Sequence, residues 1–150
     1  MAVSGTHCGL TEPGAFPFWS EARLRHFDTD DQGHVNHVTV VSLLETARDE
    51  YLCARWGFDA ARTNVLIVGL DLQFHNELAY PNDVRIGTGM GKVGNSSFAM
   101  QQGLFRNGLC VATGLAKCVL IDRETRKPMR VPDAVRHSVA IGVGGIARRA

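Results

Sequence analysis

The residues Asp28-Thr29-Asp30-Asp31-Gln32-Gly33-His34-Val35-Asn36-His37 set three carboxylates, a glycine and two imidazoles directly ahead of a helix start. The first turn of a helix leaves backbone N–H groups without intrahelical acceptors, and it carries the positive end of the helix dipole. A carboxylate facing that terminus could attack a carbonyl, or activate water to do so. The free N–H groups would hold the oxyanion that forms.

Within this run Asp30 is the first candidate for the reacting carboxylate; its competing role is to cap a turn, as aspartates commonly do. Asp28 reads as a loop-orienting residue and Asp31 as solvated. Asn36 is a good N-cap, which places the His37 backbone N–H at the start of the helix. The His37 side chain could also position water or substrate, or simply sit on the surface. His34 could bridge loop and sheet, and Gly33 reads as a backbone necessity, through a positive φ or a close substrate approach. Asp30, His34 and His37 invite a zinc reading, but no third nitrogen or sulfur ligand lies nearby in sequence, so neither a metal nor another cofactor is expected. Glu45 sits on the polar side of the helix, where an intrahelical pair with Arg48 or an inter-subunit contact is favoured over a role as a second acid. Ser96 and Ser97, at a strand start, could touch a substrate arm or serve their turn. Arg123, Arg126, Lys127 and Arg130 form one basic cluster, with Lys92 and Arg106 elsewhere. Neither a serine nucleophile elbow nor a glycine-rich phosphate loop is present.

These residues need a scaffold. Residues 18–25 alternate loosely and read as a strand, 27–36 as a polar loop, and 38–56 as the one long helix, with Gly57 as its stop. Its apolar face holds Val40, Val41, Leu44, Ala47 and Tyr51. Residues 65–74, 84–93, 97–106 and 109–121 read as strands in hairpin succession, with Pro81-Asn82 and Asn107-Gly108 as turn signals. Residues 132–140 read as a short helix. One helix cannot cover both faces of such a sheet, so the sheet must wrap the helix or pair with another chain. The expected organisation is a flexible tail over 1–17, a single domain over 18–140 and a flexible tail over 141–150.

The 150 residues fit one domain with a substantial core. Sixteen basic against 15 acidic residues give a net charge of +1, which argues against a nucleic-acid binder. No apolar run approaches the roughly 18 residues that span a bilayer, so no membrane insertion is expected. Without a secretory pattern, and with Cys8, Cys53, Cys110 and Cys118 forming no pairing framework, a reducing cytoplasm is expected.

Asp28-x-Asp30, Gly33, His34-Val35-Asn36 and Glu45-Thr46-Ala47-Arg48 stand at spacings that resemble the hotdog-fold acyl-CoA thioesterases. The branch is the one that includes 4-hydroxybenzoyl-CoA thioesterase and the Tol-Pal-associated and FadM-like thioesterases. Residues 74–83 and the Gly94–Phe98 turn are similar to later segments of that family, and the resemblance covers residues 18–132. It implies an α+β hotdog fold, a curved antiparallel β-sheet wrapped around one long central α-helix. It also implies a homodimer or homotetramer with active sites between subunits, and an acyl-CoA substrate. Asp30 maps to the catalytic acid and the His37 amide to the oxyanion donor. Gly33, His34, Val35, Asn36, Val40, Glu45, Ser96 and Ser97 are the expected substrate-binding positions. Where the family often carries tyrosines in the first helical turns, this chain has Val40 and Leu43, which implies a reshaped acyl pocket. A hydratase or dehydratase, a thioesterase acting on acyl carrier protein, and a non-catalytic acyl-CoA binding module are the competing readings.

Overall fold

The computed structural model describes residues 7–57 and 59–138. Residues 1–6, the last two residues of the expected short helix and the expected 141–150 tail lie outside them. One long helix, α1 (His37–Trp56), is bracketed by the two residues its sequence offers as caps. Asn36 Oδ1 accepts the Val38 N–H at 2.8 Å, and Gly57 closes the helix in the left-handed region at φ 56°, where the missing Cβ removes the steric cost. Around it run β1 (Phe18–Arg23), β2 (Thr63–Phe74), β3 (Asp83–Val93), β4 (Ser97–Arg106) and β5 (Leu109–Asp122), followed by a short α2 (Asp133–Ser138). The strands form one antiparallel sheet in the order β1-β3-β4-β5-β2. Bulges in β2 after Ile67, between β3 and β4, and between β4 and β5 bend it. This is the α+β hotdog arrangement, a curved antiparallel sheet wrapped around one long helix.

Two apolar clusters join helix to sheet. Toward the start of α1, Val40, Leu44 and Ala47 pack against Val84, Ile86, Leu104 and Ala112. Toward its end, Tyr51 and Leu52 pack against Met90, Phe98, Met100, Cys118 and Leu120. Each fully buried side chain of this size contributes about 1.5–3 kcal/mol. Arg48 also turns inward: its guanidinium donates to Gln102 Oε1 at 2.9 Å, while Gln102 Nε2 donates to the Leu44 carbonyl and to Thr88. Glu45 is therefore left exposed, without the expected intrahelical hydrogen bond to Arg48, because that partner satisfies its charge-bearing group under the helix instead.

Residues 7–17 depart from the expected flexible tail. They cross the outer face of the sheet, where Leu10, Ala15 and Phe16 are buried with Phe105 and Cys110. Phe16 meets Trp19 and Phe105 edge-on, each at 5.9 Å between ring centroids. Gly87 and Gly103 face each other across β3 and β4. A Cβ on Gly87 would lie 2.4 Å from the Phe16 ring, and one on Gly103 would lie 2.9 Å from the Leu10 carbonyl oxygen. The paired glycines thus form the floor on which this strap rests, and its apolar burial outweighs the glycine and proline content that reads as a tail.

Candidate active site

The run from Asp28 to His37 folds as a short 3-10 turn (His26–Asp28) and a tight loop that delivers the chain to α1. Asp28 is buried and fixes the entry. Its carboxylate accepts the Arg25 N–H at 2.6 Å and an Arg25 guanidinium N–H at 3.2 Å, and its carbonyl accepts the Asn36 N–H. Burial opposes its ionisation, but the Arg25 N–H, guanidinium hydrogen bond and charge outweigh that and hold the carboxyl below the usual carboxylate range.

Asp30 closes the loop. Its N–H donates to the His34 carbonyl at 2.8 Å, and its carbonyl accepts the Gly33 N–H. Gly33 sits at φ 81°, the positive-φ position such a turn requires. Asp30 Oδ1 accepts two backbone N–H groups, from Gln32 at 2.9 Å and His34 at 3.2 Å. Its Oδ2 has no hydrogen-bond donor among the described residues. One carboxylate oxygen therefore holds the turn and the other carries no hydrogen bond from the described residues.

After the loop, Val35 donates its N–H to the Leu78 carbonyl at 2.7 Å, and His34 forms an antiparallel bridge with Ala79. His34 Nε2 lies 3.3 Å from Glu77 Oε2. These contacts clamp the helix start onto the segment between β2 and β3. Between them opens a cavity of about 330 Å³, lined by His34, Val35, His37, Val40, Phe74, His75, Asn76, Glu77, Leu78 and Val111. The His37 N–H, first of the helix, has no acceptor among the described residues. A second hollow of about 490 Å³ shares His34, His75, Asn76 and Glu77 with the first and adds Arg106 and Leu109.

The structure thus brings His34, Val35, His37 and Val40 together on one cavity, with Gly33 and Asn36 framing the loop and the Asp30 carboxylate on the N–H of a lining residue. It separates others. Ser96 and Ser97 lie at the opposite end of the sheet, where the Ser96 carbonyl accepts the Leu120 N–H and Ser97 pairs with Val119. The Val111 carbonyl at the other end of β5 accepts the His75 N–H beside the cavity. Antiparallel strands of ten and 14 residues carry that turn away from the helix start. Arg123 likewise binds the Ala60 and Arg62 segment beyond the C-terminal end of α1, and Arg130 pairs with Asp133 at 2.9 Å. A 20-residue helix places that basic cluster roughly 30 Å from His37.

The lining also includes residues that the sequence reading leaves out of the site: Phe74, His75, Asn76, Glu77 and Leu78, at and after the end of β2. A polar His-Asn-Glu run directly after an apolar strand was the available signal.

The family described as the thioesterase-like superfamily matches residues 24–139. None of the curated proteins matches the chain. Among solved structures, the PA5185 protein of Pseudomonas aeruginosa is 27% identical, with a TM-score of 0.77 over 85% of this chain and 92% of its own. A predicted thioesterase of Bacillus stearothermophilus is 26% identical, with a TM-score of 0.74 over 83% of this chain and 94% of its own. At 23% identity, a DHNA-CoA thioesterase of Staphylococcus aureus shares the fold, with a TM-score of 0.71 over 87% of this chain and 93% of its own. No helix among the described residues is long and apolar enough to cross a membrane. The match over most of the chain, the sheet wrapped on α1 and the acid-bearing loop at the helix start agree: this chain belongs to the thioesterase-like superfamily.

Proposed function

We propose that this protein hydrolyses an acyl-CoA thioester to the free acid and CoA, with Asp30 as the reacting carboxylate and the His37 amide as oxyanion donor. The observation that carries this reading is the free Asp30 Oδ2 on the loop that leads to an unpartnered helix N-terminal N–H. The acyl group would lie against Val40, Phe74, Leu78 and Val111, with its carbonyl oxygen at the His37 N–H. Asp30 either attacks the carbonyl carbon, forming an anhydride that water then opens, or takes a proton from a water that attacks it. In both routes the C–S bond breaks as the tetrahedral oxyanion collapses, and the thiolate leaves with little need of a proton. Arg106, which has no acidic partner among the described residues, borders the outer hollow and suits a CoA phosphate.

Thiol release from a panel of aryl-, short-, medium- and long-chain acyl-CoAs tests the reading. Release from one class supports it and names the substrate. Silence across the panel from folded protein overturns it. No disulfide joins the four cysteines, which fits a reducing cytoplasm.

The same reading includes a homodimer. β2, of 12 residues, is the last strand of the sheet, with β5 on one side and no strand on the other among the described residues. Ile67, Leu70 and Phe74 pair with Cys118, Ala116 and Ala112, whose side chains face α1, so they lie on the helix side of the sheet. They are nonetheless about 40% exposed, at 41, 42 and 41%, because one helix does not reach that far. A second copy covers this stripe and brings its own β2 alongside. Leu70→Lys is expected to weaken association by about 2 kcal/mol or more. Light scattering on a sizing column would then show the monomer mass at concentrations where the parent is a dimer; an unchanged mass would place the interface elsewhere.

A further inference from the structure

Asn76 stands where the two hollows beside the helix start meet. The inner cavity, lined by His37 and Val40, and the outer hollow, lined by Arg106 and Leu109, share His34, His75, Asn76 and Glu77. Asn76 is held on β5 through both its backbone and its side chain. The His75 and Asn76 N–H groups donate to the Val111 carbonyl at 2.8 and 3.2 Å, and Asn76 Nδ2 donates to the Cys110 carbonyl at 2.7 Å.

The bond to Cys110 identifies the two edges of the amide. A carbonyl oxygen only accepts, so the edge that faces it is the NH2 group and the other edge is Oδ1. Neither group titrates, so this orientation does not depend on pH. Asn76 Oδ1 only accepts, and it has no donor among the described residues. The other side chains shared by the hollows are engaged with protein groups: His34 Nε2 lies 3.3 Å from Glu77 Oε2, and His75 Nε2 lies 2.9 Å from Thr113 Oγ1. The junction thus presents a fixed acceptor to whatever passes between the hollows.

On the thioesterase reading above, the reacting carbonyl lies at the His37 N–H and a CoA phosphate at Arg106. The pantetheine arm joins those two points and so crosses the junction at Asn76. The first amide of the arm is separated from the thioester sulfur by an ethylene unit, and its N–H is the first hydrogen-bond donor beyond the sulfur. We propose that Asn76 Oδ1 accepts this N–H and thereby fixes the thioester against Asp30 and the His37 N–H. Asn76 binds the arm and takes no part in bond breaking. The contact goes into orientation, as interactions with the non-reacting parts of a substrate do. The site then favours thioesters of an amide-bearing arm over thioesters that lack the N–H.

Two measurements on the full-length protein test this. The first uses a pair of small thioesters of the acyl group released fastest from CoA. One is the S-acyl N-acetylcysteamine, which keeps the N–H; the other is the S-acyl 2-acetoxyethanethiol, in which an ester oxygen replaces it. The kcat/KM ratio of the pair is divided by the ratio of their rates with hydroxide alone. The parent is expected to give roughly fivefold in favour of the amide, the worth of one neutral hydrogen bond. Asn76→Ala and, as an independent variant, Asn76→Leu are each expected to bring the value near one. A ratio within one sample does not depend on how much of the protein is folded. A parent value near one overturns the contact. So does a variant that slows both thioesters equally, since Asn76 then acts only through its tie to Cys110.

The second measurement is calorimetric binding of CoA, which carries the same arm and needs no turnover. The parent is expected to bind CoA roughly fivefold more tightly than Asn76→Ala, again the worth of one neutral hydrogen bond. Equal affinities, or no binding by either protein, overturn the contact. No thiol release from any acyl-CoA or small thioester overturns the thioesterase reading, while the calorimetry decides the arm contact separately.

Discussion

Asp30→Asn is expected to lower kcat for acyl-CoA hydrolysis by about 10³-fold, within the range that loss of a general base or carboxylate nucleophile produces, and to leave the melting temperature close to that of the parent. The two oxygens of Asp30 have separate duties, and asparagine divides them. Its carbonyl oxygen can stand where Oδ1 stands and accept the N–H groups of Gln32 and His34. Its amide NH2 replaces Oδ2, the oxygen without a donor, and can neither attack a carbonyl nor take a proton from water. Asp30→Ala removes both duties. It leaves two loop N–H groups without their acceptor, so it should lose activity to the same degree and also some stability, about 1 kcal/mol. The contrast between the two variants separates chemistry from loop structure. If Asp30→Asn turns over within a few-fold of the parent while Asp30→Ala is both slow and unstable, Asp30 is a turn residue and the reacting carboxylate lies elsewhere, with exposed Glu45 next in line.

What the sequence made legible is what local physics decides. Asn36 and Gly57 announce the ends of α1 because capping is a property of a few adjacent residues. The hairpin at Asn107-Gly108 is legible because both residues take positive φ, at 49° and 79°. What stayed hidden depends on partners distant in the chain. The strap of residues 7–17 reads as a tail until Gly87 and Gly103 are seen to pair beneath Phe16. Arg48 reads as an intrahelical partner for Glu45, three positions before it, until Gln102, 54 residues on, is found to receive it under the helix. Ser96 and Ser97 read as substrate-binding positions, but how far they lie from the helix start within one chain depends on the length of β4 and β5, which sets them at the opposite end of the sheet. His7 and His75 illustrate the same limit: 68 residues separate them, and only the threonine between their rings, Thr113, makes them one unit.

The His37 amide can be removed without unfolding the helix, because its position is one that proline favours. Proline is well accommodated at the first helical residue, where the N–H has no intrahelical partner. The residue before a proline must be extended, and Asn36 already is, at φ −60° and ψ 138°. The Asn36 side chain keeps the Val38 N–H, and the Asn36 carbonyl keeps the Val40 N–H, so the cap survives. His37→Pro should therefore lower kcat by about 10²–10³-fold, the loss that follows removal of one oxyanion donor, with little change in melting temperature. His37→Ala supplies the control, since it deletes the imidazole and keeps the N–H. If the amide holds the oxyanion, the proline variant is slower than the alanine variant by most of that factor, and KM moves little, because the N–H acts on charge that develops only in the transition state. If the two variants are equally slow, the side chain is what matters at this position and the oxyanion must be held by another group.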